Sequence, residues 1–231
     1  MSFAKSPIVK IILALVIGLA IFVGSFYASS QALLYNFFNR SVWITLLVYH
    51  SLVLILSFLA ILIFSRGKIK TFGFNNGSSF PVLKILLNSI LIGVIAGYVI
   101  YTFNKEELGF IAFYKTWEKI VFIWLIASIS EEMLVSGFIQ GYMMPAKKYA
   151  VKIFKTTISI PMILSAIVFA IIYVPHLIGM KIIAIALIMF VMFAIGISKA
   201  YFREKTNSLL APMVMHVLFN AAIFAVVYFM K

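Results

Sequence analysis

Between Arg40 and Arg66 the chain runs for twenty-five residues without a Lys, Arg, Asp or Glu. A helix of that length rises about 37 Å, enough to cross a hydrocarbon core about 30 Å thick. In lipid only a helix or a closed barrel satisfies its own backbone. The run is one of several. Of 231 residues, 65% are hydrophobic and 11% charged, against about half and about a quarter in a soluble domain. A soluble core cannot absorb that surplus, and the expected fold class is all-α, a polytopic transmembrane helical bundle.

The apolar runs predict spans over Ile8–Tyr27, Val42–Phe64, Val82–Phe103, Trp117–Met143, a fifth from Ile158 or Pro161 to about Gly179, then Ile182–Ile197 and Leu209–Met230, seven in all. Pro175, Gly179 and Lys181 interrupt the fifth and sixth, where a re-entrant segment is the alternative. The first run has Lys5 and Lys10 ahead of it and Ala28-Ser29-Ser30 behind it, as a secretory signal would. Its apolar stretch continues to Tyr27 and further spans follow, so it is read as a span.

Nineteen Lys and Arg against six Glu and no Asp give a net charge of +13. With the N-terminus in the cytoplasm, Lys5, Lys10, Arg66, Lys68, Lys70, Lys84, Lys147, Lys148, Lys152, Lys155, Lys199, Arg203 and Lys205 fall on cytoplasmic flanks. Arg40, Lys105, Lys115, Lys119, Lys181 and Lys231 fall outside, so thirteen basic residues face six. This is the asymmetry that orients membrane proteins. The positive charge is topological, and nucleic acid is not needed to explain it. There is no cysteine, hence no disulfide and no thiolate metal site. The expectation is one multi-pass domain over 1–231 in the cytoplasmic membrane of the cell, with the lipid bilayer as its partner. Lys105 to Lys119, carrying Glu106, Glu107 and Glu118 among aromatics, is expected to lie in the outer interface. Gly93 with Gly97, and Gly137 with Gly141, are small-residue pairs suited to close helix approach.

Ionisable side chains inside a span cost a few kcal/mol each and mark functional interiors. Five stand out: His50, Glu131, Glu132, His176 and His216. Glu131 and Glu132 lie near mid-membrane, about 20 Å from either end of their span. Two adjacent carboxylates in low dielectric repel each other, so at least one is disposed to hold or exchange a proton, which suits general acid–base work. Successive helical residues point about 100° apart, and Glu132 shares a face with Ser128 and Ser136 at four-residue spacing. One glutamate can then face a cavity while the other enters a hydrogen-bond network. His216 and Asn220, also four apart, present donors on one face that can hold a water, a metal or an oxyanion, or act as interhelical glue. His176 follows Pro175, which frees backbone carbonyls. By helix rise His176 lies near the depth of Glu131, and His216 lies nearer the cytoplasmic face, so the three converge only with helix tilt. His50 is read as an interhelical hydrogen-bonding residue.

These residues together resemble the CAAX protease and bacteriocin-processing (Abi) family of intramembrane proteases, which includes the type II CAAX prenyl endopeptidases. That family carries Glu-Glu-x-x-x-Arg, Phe-x-x-x-His and His-x-x-x-Asn in order on separate spans. Glu131-Glu132-Met-Leu-Val-Ser136, Ile172-Tyr-Val-Pro-His176 and His216-Val-Leu-Phe-Asn220 are similar to them, within a resemblance covering about Phe110 to Phe224. Ser136 stands where the family has arginine, and Ile172 where it has phenylalanine, with Phe169 one turn earlier and Tyr173 beside it.

The resemblance implies hydrolysis of a peptide bond in a membrane-embedded or lipid-modified peptide. Glu131 would activate water with help from His176, His216 and Asn220 would stabilise the oxyanion, and Glu132 and Ser136 would support the site. No metal is required in this reading, although one Glu and two His can also ligate zinc. Loss of the arginine leaves the two carboxylates less compensated, which bears on catalytic competence. The alternatives are a non-catalytic scaffold or bacteriocin self-immunity protein, and a proton-coupled transporter, against which the lack of a repeat speaks.

Overall fold

A computed structural model describes residues 6–34, 42–75, 80–104, 115–153 and 156–230. Glu106 and Glu107 of the expected interfacial segment lie outside the described residues. Among these residues are seven helices, here α1 (Pro7–Leu34), α2 (Val42–Ser65), α3 (Val82–Asn104), α4 (116–146), α5 (Ile160–Ile172), α6 (Ile182–Thr206) and α7 (Leu210–Met230). All but α5 are long and apolar enough to cross a membrane. The expected seven spans are therefore six long helices plus a short one. At thirteen residues α5 rises only about 20 Å. The 3-10 turn Val174–Leu177, opened by Pro175, carries the chain further before α6 returns.

The exterior is apolar and the interior holds the polar groups, as a lipid-solvated bundle requires. Along α3, Leu83, Leu87 and Leu91 turn outward at four-residue spacing, while the buried Ser89 satisfies itself on the Ile85 carbonyl at 2.7 Å. Gly93 and Gly97 face α7 as the spacing suggested. A Cβ at Gly93 would stand 2.8 Å from the Phe219 carbonyl oxygen, and one at Gly97 would stand 3.1 Å from that of Ile223. In the second pair, Gly137 meets Ile61 and Gly141 meets Phe72.

An antiparallel hairpin absent from the sequence reading follows α4. Its strands, β1 (Ala150–Ile153) and β2 (Thr156–Ser159), pair Ala150 with Ser159 and Ile153 with Thr156. Ser159 then caps α5, accepting the Met162 N–H at 3.3 Å, and donates to Glu204 of α6 at 2.5 Å.

The sixth span is longer than expected, running past Ile197 to Thr206. Lys199 and Arg203 are consequently 1% and 0% exposed, inside the bundle rather than on a flank. Beyond α6, the turn at 207–209 docks on the α2–α3 connection. Leu209 donates its N–H to the Gly73 carbonyl at 3.0 Å, and the Ser208 hydroxyl donates to the Asn75 carbonyl at 3.0 Å. Gly73 sits at φ +98°, a conformation that favours glycine, with the Arg203 guanidinium packed against it.

Candidate active site

Helix α4 changes its winding around the glutamates. Lys119–Ala127 and Met133–Ile139 are π-helical, and the α-helical Ser128–Glu132 lies between them. Such insertions recur at functional sites. Every residue from Met133 to Ile139 is buried, so this helix forms the axis of the interior.

Glu132 is fully enclosed and completely partnered. The Ser136 hydroxyl donates to its Oε2 at 2.5 Å, one helical turn away, as their shared face implied. On the other oxygen, Oε1, it receives His216 Nδ1 from α7 at 3.0 Å and the Lys199 ammonium from α6. The expectation that Glu132 lacks a compensating cation is thus corrected. A lysine from another helix supplies the charge where Ser136 replaces the motif arginine, and a serine hydroxyl fills the remaining lone pairs. Lys199 also lies 3.1 Å from the centroid of the Phe169 ring and 3.4 Å from His216 Nδ1.

His216 reaches both glutamates. Because a carboxylate only accepts, Nδ1 carries the proton shared with Glu132, and Nε2 is left to accept. Nε2 lies 3.0 Å from the Tyr173 hydroxyl and 3.8 Å from Glu131 Oε2. The same hydroxyl stands 3.4 Å from Glu131 Oε2, so with one proton it serves either His216 or Glu131 at a given moment. Phe169 packs edge-on against the His216 ring at 5.1 Å. His216, expected nearer the cytoplasmic face than Glu131, is thus within reach of both glutamates.

Glu131 lines a cavity of about 180 Å³. Tyr173, His176, His50 and Asn220 share its lining, and the rest is mostly apolar, including Phe22, Trp124 and Phe224. The structure therefore divides the sequence-derived set. Glu131, His176 and Asn220 meet the cavity, whereas Glu132, Ser136 and His216 lie behind it. Asn220 spends its amide on α4, donating to the Ile123 carbonyl at 3.3 Å and the Ser128 hydroxyl at 3.2 Å. His50 makes the interhelical bond read for it, with Nδ1 2.8 Å from the Ser130 hydroxyl.

Zinc fits this arrangement poorly. Among the described residues no group of three or more His, Cys, Asp or Glu is placed to hold a metal ion. The Lys199 ammonium already occupies the space against Glu132 and His216, where it would repel a divalent cation.

Fold and site together define an integral multi-pass helical membrane protein whose core holds two glutamates tied by histidine, tyrosine and lysine. Residues 113–222, just under half of the chain, match the Rce1-like family model, described as type II CAAX prenyl endopeptidase Rce1-like, and over this segment the chain is similar to that family. The matched segment contains all three motifs. No curated protein and no solved structure matches the chain.

Proposed function

We propose that this protein is an intramembrane endopeptidase that hydrolyses a peptide bond in a membrane-embedded or lipid-modified peptide. The observation that carries the reading is the Glu131 carboxylate at the wall of a mostly apolar cavity inside the bundle, with His176 and Asn220 in the same lining. A cavity of about 180 Å³ admits an apolar side chain beside the carboxylate, and a carboxylate removed from bulk water is a competent base toward a water molecule beside it. In the hydrolysis Glu131 takes a proton from water while the oxygen attacks the scissile carbonyl. The tetrahedral oxyanion is held by hydrogen-bond donors, and the proton passes to the departing amine. His176 assists Glu131 across the cavity. Asn220 offers amide hydrogens to the oxyanion by releasing Ser128. His216, whose Nε2 is an acceptor, contributes by holding the Tyr173 hydroxyl at the cavity wall. Glu132 and Ser136 hold His216 from behind.

The test is cleavage of a panel of tagged membrane peptides, prenylated and unmodified, by purified protein in lipid. Glu131→Gln is expected to reduce kcat by at least about 100-fold, the scale of a lost general base. His176→Ala and His216→Ala should be similarly impaired. Cleavage by Glu131→Gln at the wild-type rate would sink the mechanism.

A further inference from the structure

Resting on that hydrolytic reading, we propose that Lys199 is a positioning residue of the site. Its ammonium, brought in from α6, holds Glu132 and thereby keeps His216 with Nδ1–H toward Glu132 and Nε2 toward Tyr173 and Glu131. Lys199 lies two turns inside the end of α6, and a lysine so placed ordinarily extends its stem toward the nearest water. This one turns inward and is 1% exposed. Its surroundings are the Glu132 carboxylate, the His216 ring and the face of Phe169.

The inward turn is built into the α5–α6 contact. Gly196 lets the helices press together, since a Cβ there would stand 3.0 Å from the Ala166 Cα. Phe169 and Lys199 each lie one turn from that contact on their own antiparallel helices, and the long lysine stem spans the offset to set its ammonium on the Phe169 face, over the carboxylate. Glu132 Oε1 accepts from both Lys199 and His216 Nδ1, so the cation keeps that oxygen charged and accepting, which in turn fixes the imidazole tautomer. An arginine at position 136 would reach the same carboxylate from within α4, one turn away. Here Ser136 gives only a neutral hydroxyl and Lys199 supplies the charge, so the two positions are alternative sources of one cation.

An exchange of the charge between helices tests this. The chain has only three histidines, so imidazole nitrogen signals can be resolved in isotope-labelled protein. Wild-type His216 is expected to show the Nδ1–H tautomer. Lys199→Met should lose that signature, and Lys199→Met combined with Ser136→Arg should regain it. In cleavage assays Lys199→Met should lower kcat by about 100-fold, and the exchange variant should recover to within about tenfold of wild type. KM should stay within about threefold throughout, because the lysine does not face the cavity.

Wild-type tautomer and kcat in Lys199→Met overturn the proposal, as does an exchange variant that folds without restoring either. If Lys199→Met does not fold, the exchange variant alone decides: folded with the wild-type tautomer it supports the proposal, and otherwise it overturns it. Failure of the wild-type protein to cleave any peptide would count against the hydrolytic reading only, since the histidine signals report on Lys199 without catalysis.

Discussion

At the scale of single residues, the site is a chain of donors and acceptors with little slack. Tyr173 is the link where the two glutamates come into contact through His216. Removing its hydroxyl leaves the fully buried Nε2 of His216 without that partner, and an unsatisfied buried polar atom costs about 1–3 kcal/mol. Tyr173→Phe should therefore be destabilised by about that amount in a denaturant titration in detergent, against wild type in the same micelles. A value within about 0.3 kcal/mol of wild type would mean that the hydrogen bond contributes nothing net. The sequence made five candidate residues legible, Glu131, Glu132, His176, His216 and Asn220, because carboxylates, histidines and an asparagine in apolar runs are conspicuous, and Ser136 followed from its four-residue spacing to Glu132. Tyr173 and Lys199 escaped notice for opposite reasons. Tyrosine is ordinary in a membrane helix, and a lysine near a span's end reads as a flank until the helix is seen to continue past it.

At the scale of elements, the long apolar helices could be read from uninterrupted runs, whereas the hairpin Ala150–Ser159 could not. Its sequence is lysine-rich and short, and its pairing depends on the anchor that Ser159 makes to Glu204 forty-five residues away. The π-helical stretches of α4 were equally hidden, because their residues are those of any apolar helix. Helix contact was more accessible, since Gly93 and Gly97 advertise a close approach and the structure supplies α7 as the neighbour. That contact sets how α7 presents His216 and Asn220 to α4. Gly93→Ala would put a methyl group 2.7 Å from the Ala222 Cβ, which forces the helices apart. The expected penalty is about 1–3 kcal/mol, the range for overpacked cores. Gly24 is the matched control, for nothing lies within 4 Å of a Cβ there. Gly24→Ala should be neutral or slightly stabilising, because alanine is the better helix former. Equal effects of the two substitutions in thermal unfolding would show that the α3–α7 approach carries no strain.

At the scale of the whole molecule, the contacts gather the basic connections onto one face. The 66–75 segment touches the 207–209 turn, the hairpin reaches Glu204 through Ser159, and Lys147 pairs with Glu204 at 3.2 Å. The start of α1 joins them, with the Lys10 ammonium 5.7 Å from the Tyr142 ring. Lys10, Arg66, Lys68, Lys70, Lys147, Lys148, Lys152 and Lys205 therefore share a face, even after Lys199 is withdrawn from the tally as an interior residue. Short α5 does not upset this arrangement: with its 3-10 turn it leads away from that face, and α6 brings the chain back to it. Positive charge near span ends is retained on the cytoplasmic side, so this face should be cytoplasmic and Lys181, at the start of α6, should be outside. The absence of cysteine makes the orientation directly measurable. Lys68→Cys and Lys181→Cys are both exposed positions for a single thiol. A membrane-impermeant maleimide should label Lys181→Cys in intact cells, and should label Lys68→Cys only after the membrane is opened. The reverse pattern would invert the molecule and place the hairpin and the end of α4 nearest it outside.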